Sequence, residues 1–185
     1  VKFAYADPPY LGQGAKLYGD LHAEAADCDT LEWHAQLLER LSQEYPDGWA
    51  LSASSPSLRH ILPMCPEDCR VGAWVKPFCA WKPNSNPAYA WEPVIFRGGR
   101  KRTWRKDRSR ETVRDYISAP MMMRKGFVGA KPPQFVRWII EVLGVEPQDR
   151  FDDLFPGSGA VAEALQAWRE AASGACQAPL FEDAC

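Results

Sequence analysis

The chain has 185 residues, of which 46% are hydrophobic and 25% charged, and its net charge is −2. That length carries one domain with a real core, and the composition is globular rather than disordered. No apolar run is long enough to span a bilayer, and Val1-Lys2-Phe3-Ala4-Tyr5 runs into Asp7 without the long apolar stretch of a signal peptide. The expectation is a soluble cytoplasmic protein with no membrane partner. Val1 fits either a GTG start codon or a fragment.

In chain order, residues 2–6 are a short β-prone run that must end at Asp7-Pro8-Pro9-Tyr10, because neither proline has a donor for a sheet ladder. Residues 11–29 are Gly-rich and polar, so they read as a loop. Thr30 or Asp29 caps a helix over about 31–44, with Leu31, Leu38 and Leu41 on one face and Ala35 and Leu37 at its flanks. Strands are predicted at 49–53, 70–75 and 93–96, and a short helix at 58–64. Residues 111–130 read as irregular, and Met121-Met122-Met123 within them as packing. A helix over 134–143 stops at Gly144. A strand at 150–154, a glycine-containing turn at 155–159 and a helix at 160–172 follow. Strands alternating with helices predict an α/β sheet.

Charge is unevenly spread. Residues 97–110 read RGGRKRTWRKDRSR, with eight basic residues and one acid, a local charge of +7 that leaves −9 on the remainder. A strong local cation on an acidic body suits a polyanion. Arg97, Arg100, Lys101, Arg102, Arg105, Lys106, Arg108 and Arg110 are the candidate phosphate contacts, and Trp104 among them is a candidate for stacking on a base. The six cysteines are scattered and are expected to be reduced. Cys65 and Cys69, with His60 upstream, lack the spacing of a zinc pair and no second pair follows, so no metal is expected. His22, His34 and His60 have no partner pattern around them and read as surface or packing residues.

Two motifs carry chemistry. In Asp7-Pro8-Pro9-Tyr10 a carboxylate is followed by a backbone carbonyl that two rigid residues aim, and then by a flat ring. An exocyclic amine on a base is a poor nucleophile because its lone pair is delocalised into the ring. Two acceptors, the Asp7 carboxylate and the Pro8 carbonyl, would take its two N–H groups and free the lone pair, while Tyr10 stacks on an extruded base. In Asp153-Leu154-Phe155-Pro156-Gly157-Ser158-Gly159 a strand ends in glycines and a helix begins. That arrangement lets a ligand approach the backbone and the positive end of the helix.

Together the motifs resemble the amino-methyltransferases of DNA modification, from bacteria and phages, in the circularly permuted class where DPPY comes before the FxGSG motif. Gly72-Ala73-Trp74-Val75-Lys76-Pro77, Trp91-Glu92-Pro93-Val94-Ile95-Phe96 and Lys131-Pro132-Pro133 resemble three intermediate landmarks of that family, and the likeness runs from about Phe3 to Ala172. It implies a Rossmann-like S-adenosylmethionine-dependent methyltransferase fold with S-adenosylmethionine as cofactor and DNA as partner, the target being adenine N6. Cytosine N4 is the competing target, whose enzymes more often carry Ser where Asp7 stands. The resemblance assigns Asp7, Pro8, Pro9 and Tyr10 to the target base. It assigns Asp153, Phe155, Gly157, Ser158 and Gly159 to the cofactor, with Lys131 nearby, and makes 97–130 a short basic target-recognition insertion in a single domain spanning 1–185. RNA or a protein amide would suit the same acceptor chemistry; the basic segment favours a nucleic acid. There are two departures. The acid that binds the cofactor ribose in the family has no clear counterpart, Glu182 and Asp183 being the candidates, and two strands expected after the Gly157-Ser158-Gly159 helix are missing, so the fold is minimal. The recognition segment is also short and would read only a small site unless the chain forms a homodimer. A non-catalytic DNA-binding relative is the alternative that these departures favour.

Overall fold

The computed structural model describes residues 1–15, 27–79, 83, 85–101, 112–122 and 130–176. They form β1 (Lys2–Ala6), α1 (Leu31–Glu44), β2 (Gly48–Ser52), α2 (Leu58–Ile61), β3 (Arg70–Val75), β4 (Trp91–Gly98), β5 (Tyr116–Ser118), α3 (Pro133–Leu143), β6 (Arg150–Asp153) and α4 (Ala160–Cys176). Short 3-10 turns flank α2 at Ser55–Ser57 and Leu62–Met64. One six-stranded sheet runs in the order β5-β3-β4-β2-β1-β6. The pairs β1–β2, β1–β6 and β3–β5 are parallel, and β4 is antiparallel to both of its neighbours.

The sheet is covered on both faces, as a mostly parallel sheet must be. Strand alternation divides its residues between two cores. Phe3, Tyr5, Ala50, Val94 and Phe96 pack with Phe135, Ile139 and Leu143 of α3 and with Val161 and Leu165 of α4. Ala4, Ala6, Trp49, Leu51 and Ile95 pack with Leu37, Leu38 and Leu41 of α1 and Ile61 of α2. Thr30 caps α1 by accepting a hydrogen bond from the Trp33 amide at 3.3 Å. The buried stripe of α1 is His34, Leu37, Leu38 and Leu41, whereas Leu31 is exposed, so the predicted face is rotated by part of a turn. Pro133 opens α3, and Gly144 closes it in the left-handed conformation at φ +66°.

Three elements differ from expectation. β4 begins at Trp91, two residues before the predicted strand, and runs on to Gly98. β5 lies inside the stretch expected to be irregular and pairs with β3, so part of 97–130 belongs to the sheet. α4 continues to Cys176. Among the described residues no strand lies beyond β6, and no helix is long and apolar enough to cross a membrane.

Candidate active site

β1 and β6 are parallel neighbours, with Tyr5 in register with Asp153, and the Leu154 amide donates to the Tyr5 carbonyl at 3.0 Å. The two motifs therefore leave the sheet side by side at its carboxyl edge, where ligands bind in open α/β sheets. β4 runs the other way, so its first residues, Trp91 and Glu92, reach that same edge. Lys76 follows the carboxyl end of β3, and Lys131 stands just ahead of α3.

Four charged side chains converge there. The Lys131 ammonium lies 3.0 and 2.9 Å from the two oxygens of Asp7, 3.4 Å from Glu92 Oε2 and 3.4 Å from the Tyr10 hydroxyl. Glu92 accepts the Tyr10 hydroxyl on Oε2 at 2.8 Å and pairs with Lys76 through Oε1. Lys76 and Lys131 are buried, whereas the Asp7 side chain keeps 25% of its exposure and opens outward. The rings of Trp74, Tyr10 and Phe135 lie 5.5–5.9 Å from the Lys131 ammonium and keep water from it. The result is a cluster of two buried cations and two partly buried anions.

Each titration follows from this setting. Burial pushes the Asp7 carboxyl up, and Lys131 and the Tyr10 hydroxyl pull it back only in part, so it ends above the usual carboxylate value. Burial also acts against ionised Glu92, but Lys131 and Lys76 outweigh it and hold Glu92 below its ordinary value. Burial disfavours the Lys131 cation, and Asp7 and Glu92 more than compensate, so it stays protonated.

At the second motif, burial lifts the Asp153 carboxyl to about 6, against a hydrogen bond from the Phe155 amide at 3.2 Å. Asp153 Oδ2 is buried without a hydrogen-bond partner. Gly157 and Gly159 both have positive φ, and a Cβ at either would meet nothing closer than 3.7 Å. The turn thus offers open backbone beside a carboxylate oxygen that lacks a donor. That combination fits a ligand with a cationic group.

Solved structures with the same architecture are known. M1.HpyAVI, a DNA methyltransferase, matches with a TM-score of 0.57 in its SAM complex, at 18% identity over 91% of this chain and 78% of that one. Another structure of M1.HpyAVI matches at 0.54 and 21% identity, over 91% and 77%. The fold is that of the S-adenosylmethionine-dependent methyltransferases. No family profile matches the chain, and no curated protein matches its sequence.

The structure brings Asp7 and Tyr10 together with Lys131, which sits against Asp7 rather than in the Gly157-Ser158-Gly159 turn. Asp153 and Phe155 are on the adjoining strand end. Pro8 and Pro9 carry the chain across the edge, and Ser158 lies in the turn. Glu92 and Lys76 figure in the sequence only as landmarks of strands. The signal that marks them is chemical: a glutamate opening an apolar strand and a lysine closing another are costly unless paired. Of the residues assigned to DNA, Arg97 pairs with Asp68 at 2.8 Å. Arg100 donates to Asp149 at 2.6 Å and to the Gly144 carbonyl at 3.0 Å, and Lys101 is exposed. Arg102, Trp104, Arg105, Lys106, Arg108 and Arg110, like Glu182 and Asp183, lie outside the described residues.

Proposed function

We propose that this chain transfers a methyl group from S-adenosylmethionine to an exocyclic amino group of a nucleic-acid base, with adenine N6 in DNA as the target. The observation that carries the reading is the pairing of Asp7 with buried Lys131, one strand away from the open Gly157–Gly159 turn. Lys131 meets both Asp7 oxygens from behind, so the carboxylate is aimed, and its remaining lone pairs are free to accept an N–H. The Pro8 carbonyl takes the second N–H. With both hydrogens held, the nitrogen presents its lone pair. Tyr10, fixed by its hydroxyl to Glu92, offers its ring to the base.

When bound, the cofactor supplies an electrophilic methyl on a positively charged sulfur. Asp153, with its unpartnered oxygen, would hold the cationic end of that molecule, and Gly157 and Gly159 would let it lie against the backbone. Phe155 and Ser158 are the other contacts in this reading. DNA is the substrate on the strength of the basic run 97–110, whose cations other than Arg97 and Arg100 carry the phosphate contacts. In this reading segment 97–130 is the recognition part of a single permuted domain, and a homodimer would lengthen the site it reads. Adenine leads over cytosine because position 7 is Asp rather than Ser.

Titration calorimetry with the cofactor and its demethylated product, joined to sequencing that detects modified bases in DNA exposed to the protein, tests the reading. Heat with both ligands and N6-methyladenine in the DNA are expected. A folded sample that binds neither ligand would favour a non-catalytic DNA-binding relative.

A further inference from the structure

Lys131 touches both halves of the base-handling motif, Asp7 and Tyr10, and Glu92 ties Lys131 to Tyr10 from behind. Glu92 Oε2 receives the Tyr10 hydroxyl at 2.8 Å and lies 3.4 Å from the Lys131 ammonium, which in turn grips both Asp7 oxygens. Its Oε1 is engaged by Lys76, which pins the carboxylate from the far side. Asp7 and Tyr10 lie on one loop after β1, and that loop has two prolines but no ladder to hold it. Glu92, by contrast, sits in a strand whose next four residues are all buried. The rigid element therefore carries the anchor, and the loop carries the groups that meet substrate.

We propose that Glu92 is a positioning residue that holds the Asp7 carboxylate and the Tyr10 ring in one fixed relation, through Lys131 on one side and the Tyr10 hydroxyl on the other. The proposal rests on the methyl-transfer reading above. A simpler role, neutralising buried Lys76 and Lys131, makes a different prediction, because neutralisation needs only the charge whereas positioning needs the reach.

The test compares wild type, Glu92→Gln, Glu92→Asp and Lys131→Met. The readouts are kcat and KM on DNA, S-adenosylmethionine affinity, and the titration of the Asp7 carboxyl followed by carbon NMR. The ionisable groups facing Asp7 are Lys131, Glu92, Tyr10, Tyr5 and Asp153, so the charge changes have readable signs. Removing the Glu92 charge relieves Asp7 of a neighbouring anion. Its midpoint, and the acid limb of the kcat/KM profile, should move to lower pH in Glu92→Gln. Removing the Lys131 charge should move both to higher pH. Glu92→Gln should lower kcat about tenfold or more while cofactor affinity stays within about twofold.

Glu92→Asp keeps the charge and draws it back by one methylene. Positioning predicts a similar loss of kcat and a higher KM for DNA; neutralisation predicts wild-type kinetics. This variant also decides the matter if Glu92→Gln fails to fold. Wild-type kcat and KM in Glu92→Asp, or an unmoved Asp7 titration in Glu92→Gln, would overturn the proposal. If wild type itself methylates no base, the methyl-transfer reading falls. The Asp7 titration in the same samples then judges the coupling alone: a downward shift in Glu92→Gln supports it and no shift overturns it.

Discussion

Two ionic clusters occupy opposite ends of the same strands. At the amino ends of β1 and β6, Asp149 collects the Arg100 guanidinium at 2.6 Å and the Glu146 amide at 2.7 Å. At the carboxyl ends, Asp7, Lys131, Glu92, Lys76 and Tyr10 form the second cluster. The first cluster ties backbone to backbone: Arg100 donates to the Gly144 carbonyl, its own amide to the Leu143 carbonyl, and Arg169 to the Asp149 carbonyl. Its side chains are spent on the protein itself. The second leaves a carboxylate partly open to solvent with lone pairs unused. Ion pairs of similar length thus do different work: one closes a corner of the chain, the other aims a group outward.

The sharpest way to break the comparison is to delete the acid from each end. Asp7→Ala should cost on the order of 100-fold or more in methyl transfer, because no neighbouring group replaces the acceptor. Cofactor affinity, read by calorimetry, should survive. Turnover near that of wild type would sink the mechanism. Asp149→Ala should instead cost about 2 kcal/mol of stability, read as a lower urea midpoint, with activity per folded molecule retained.

The two ends also differ in pH response. Burial works against ionised Asp149, but the bond from Arg100 and the Glu146 amide hold its carboxyl below the ordinary value of 3.8. A depressed carboxylate contributes stability that is fully present above 3.8 and lost as pH falls through its folded value. Asp149→Asn should therefore flatten the acid limb of the stability curve.

Asp153 has the opposite sign, since burial lifts it to about 6. If a cationic ligand needs it ionised, S-adenosylmethionine affinity should weaken by up to about tenfold per pH unit below that value. Asp153→Asn should abolish this dependence. A flat affinity between pH 5 and 8 in wild type would remove Asp153 from the cofactor site.

The smallest effect concerns the basic segment. Arg100 is held by Asp149 and Glu146, so its loss should register in stability rather than in DNA binding. Replacing Lys101 and Arg102 by Ala should lower the slope of log affinity against log salt. The drop should be about 0.9 for each phosphate on duplex DNA that is no longer neutralised. An unchanged slope would make the segment a solvated face. Trp104→Ala should affect catalysis more than the slope if the ring stacks on a base.

Much of the fold is legible in the sequence because its signals are local. Proline ends β1, Thr30 caps α1, Gly144 stops α3, and short β-prone runs mark the strands. The same holds for Asp7 and Tyr10 and for the Asp153–Gly159 turn, whose chemistry is written in contiguous residues. Local pattern fails where a partner far along the chain decides the outcome. β5 has only three residues and exists because β3 offers a ladder. Leu31 has the periodicity of a core residue yet is exposed, because periodicity cannot say where the sheet ends.

Sequence by itself determined the α/β alternation, the two motifs and the carboxylate at position 7, since each depends on residues within a turn or a strand of one another. Only the tertiary structure decided that the antiparallel course of β4 carries Glu92 to the edge where β1 ends, that Lys131 meets Asp7, and that Arg100 turns to Asp149 instead of outward. The physical reason is range. A backbone conformation is chosen by neighbours along the chain, but a buried charge is tolerated only where an opposite charge arrives, and that is settled by which strands lie side by side.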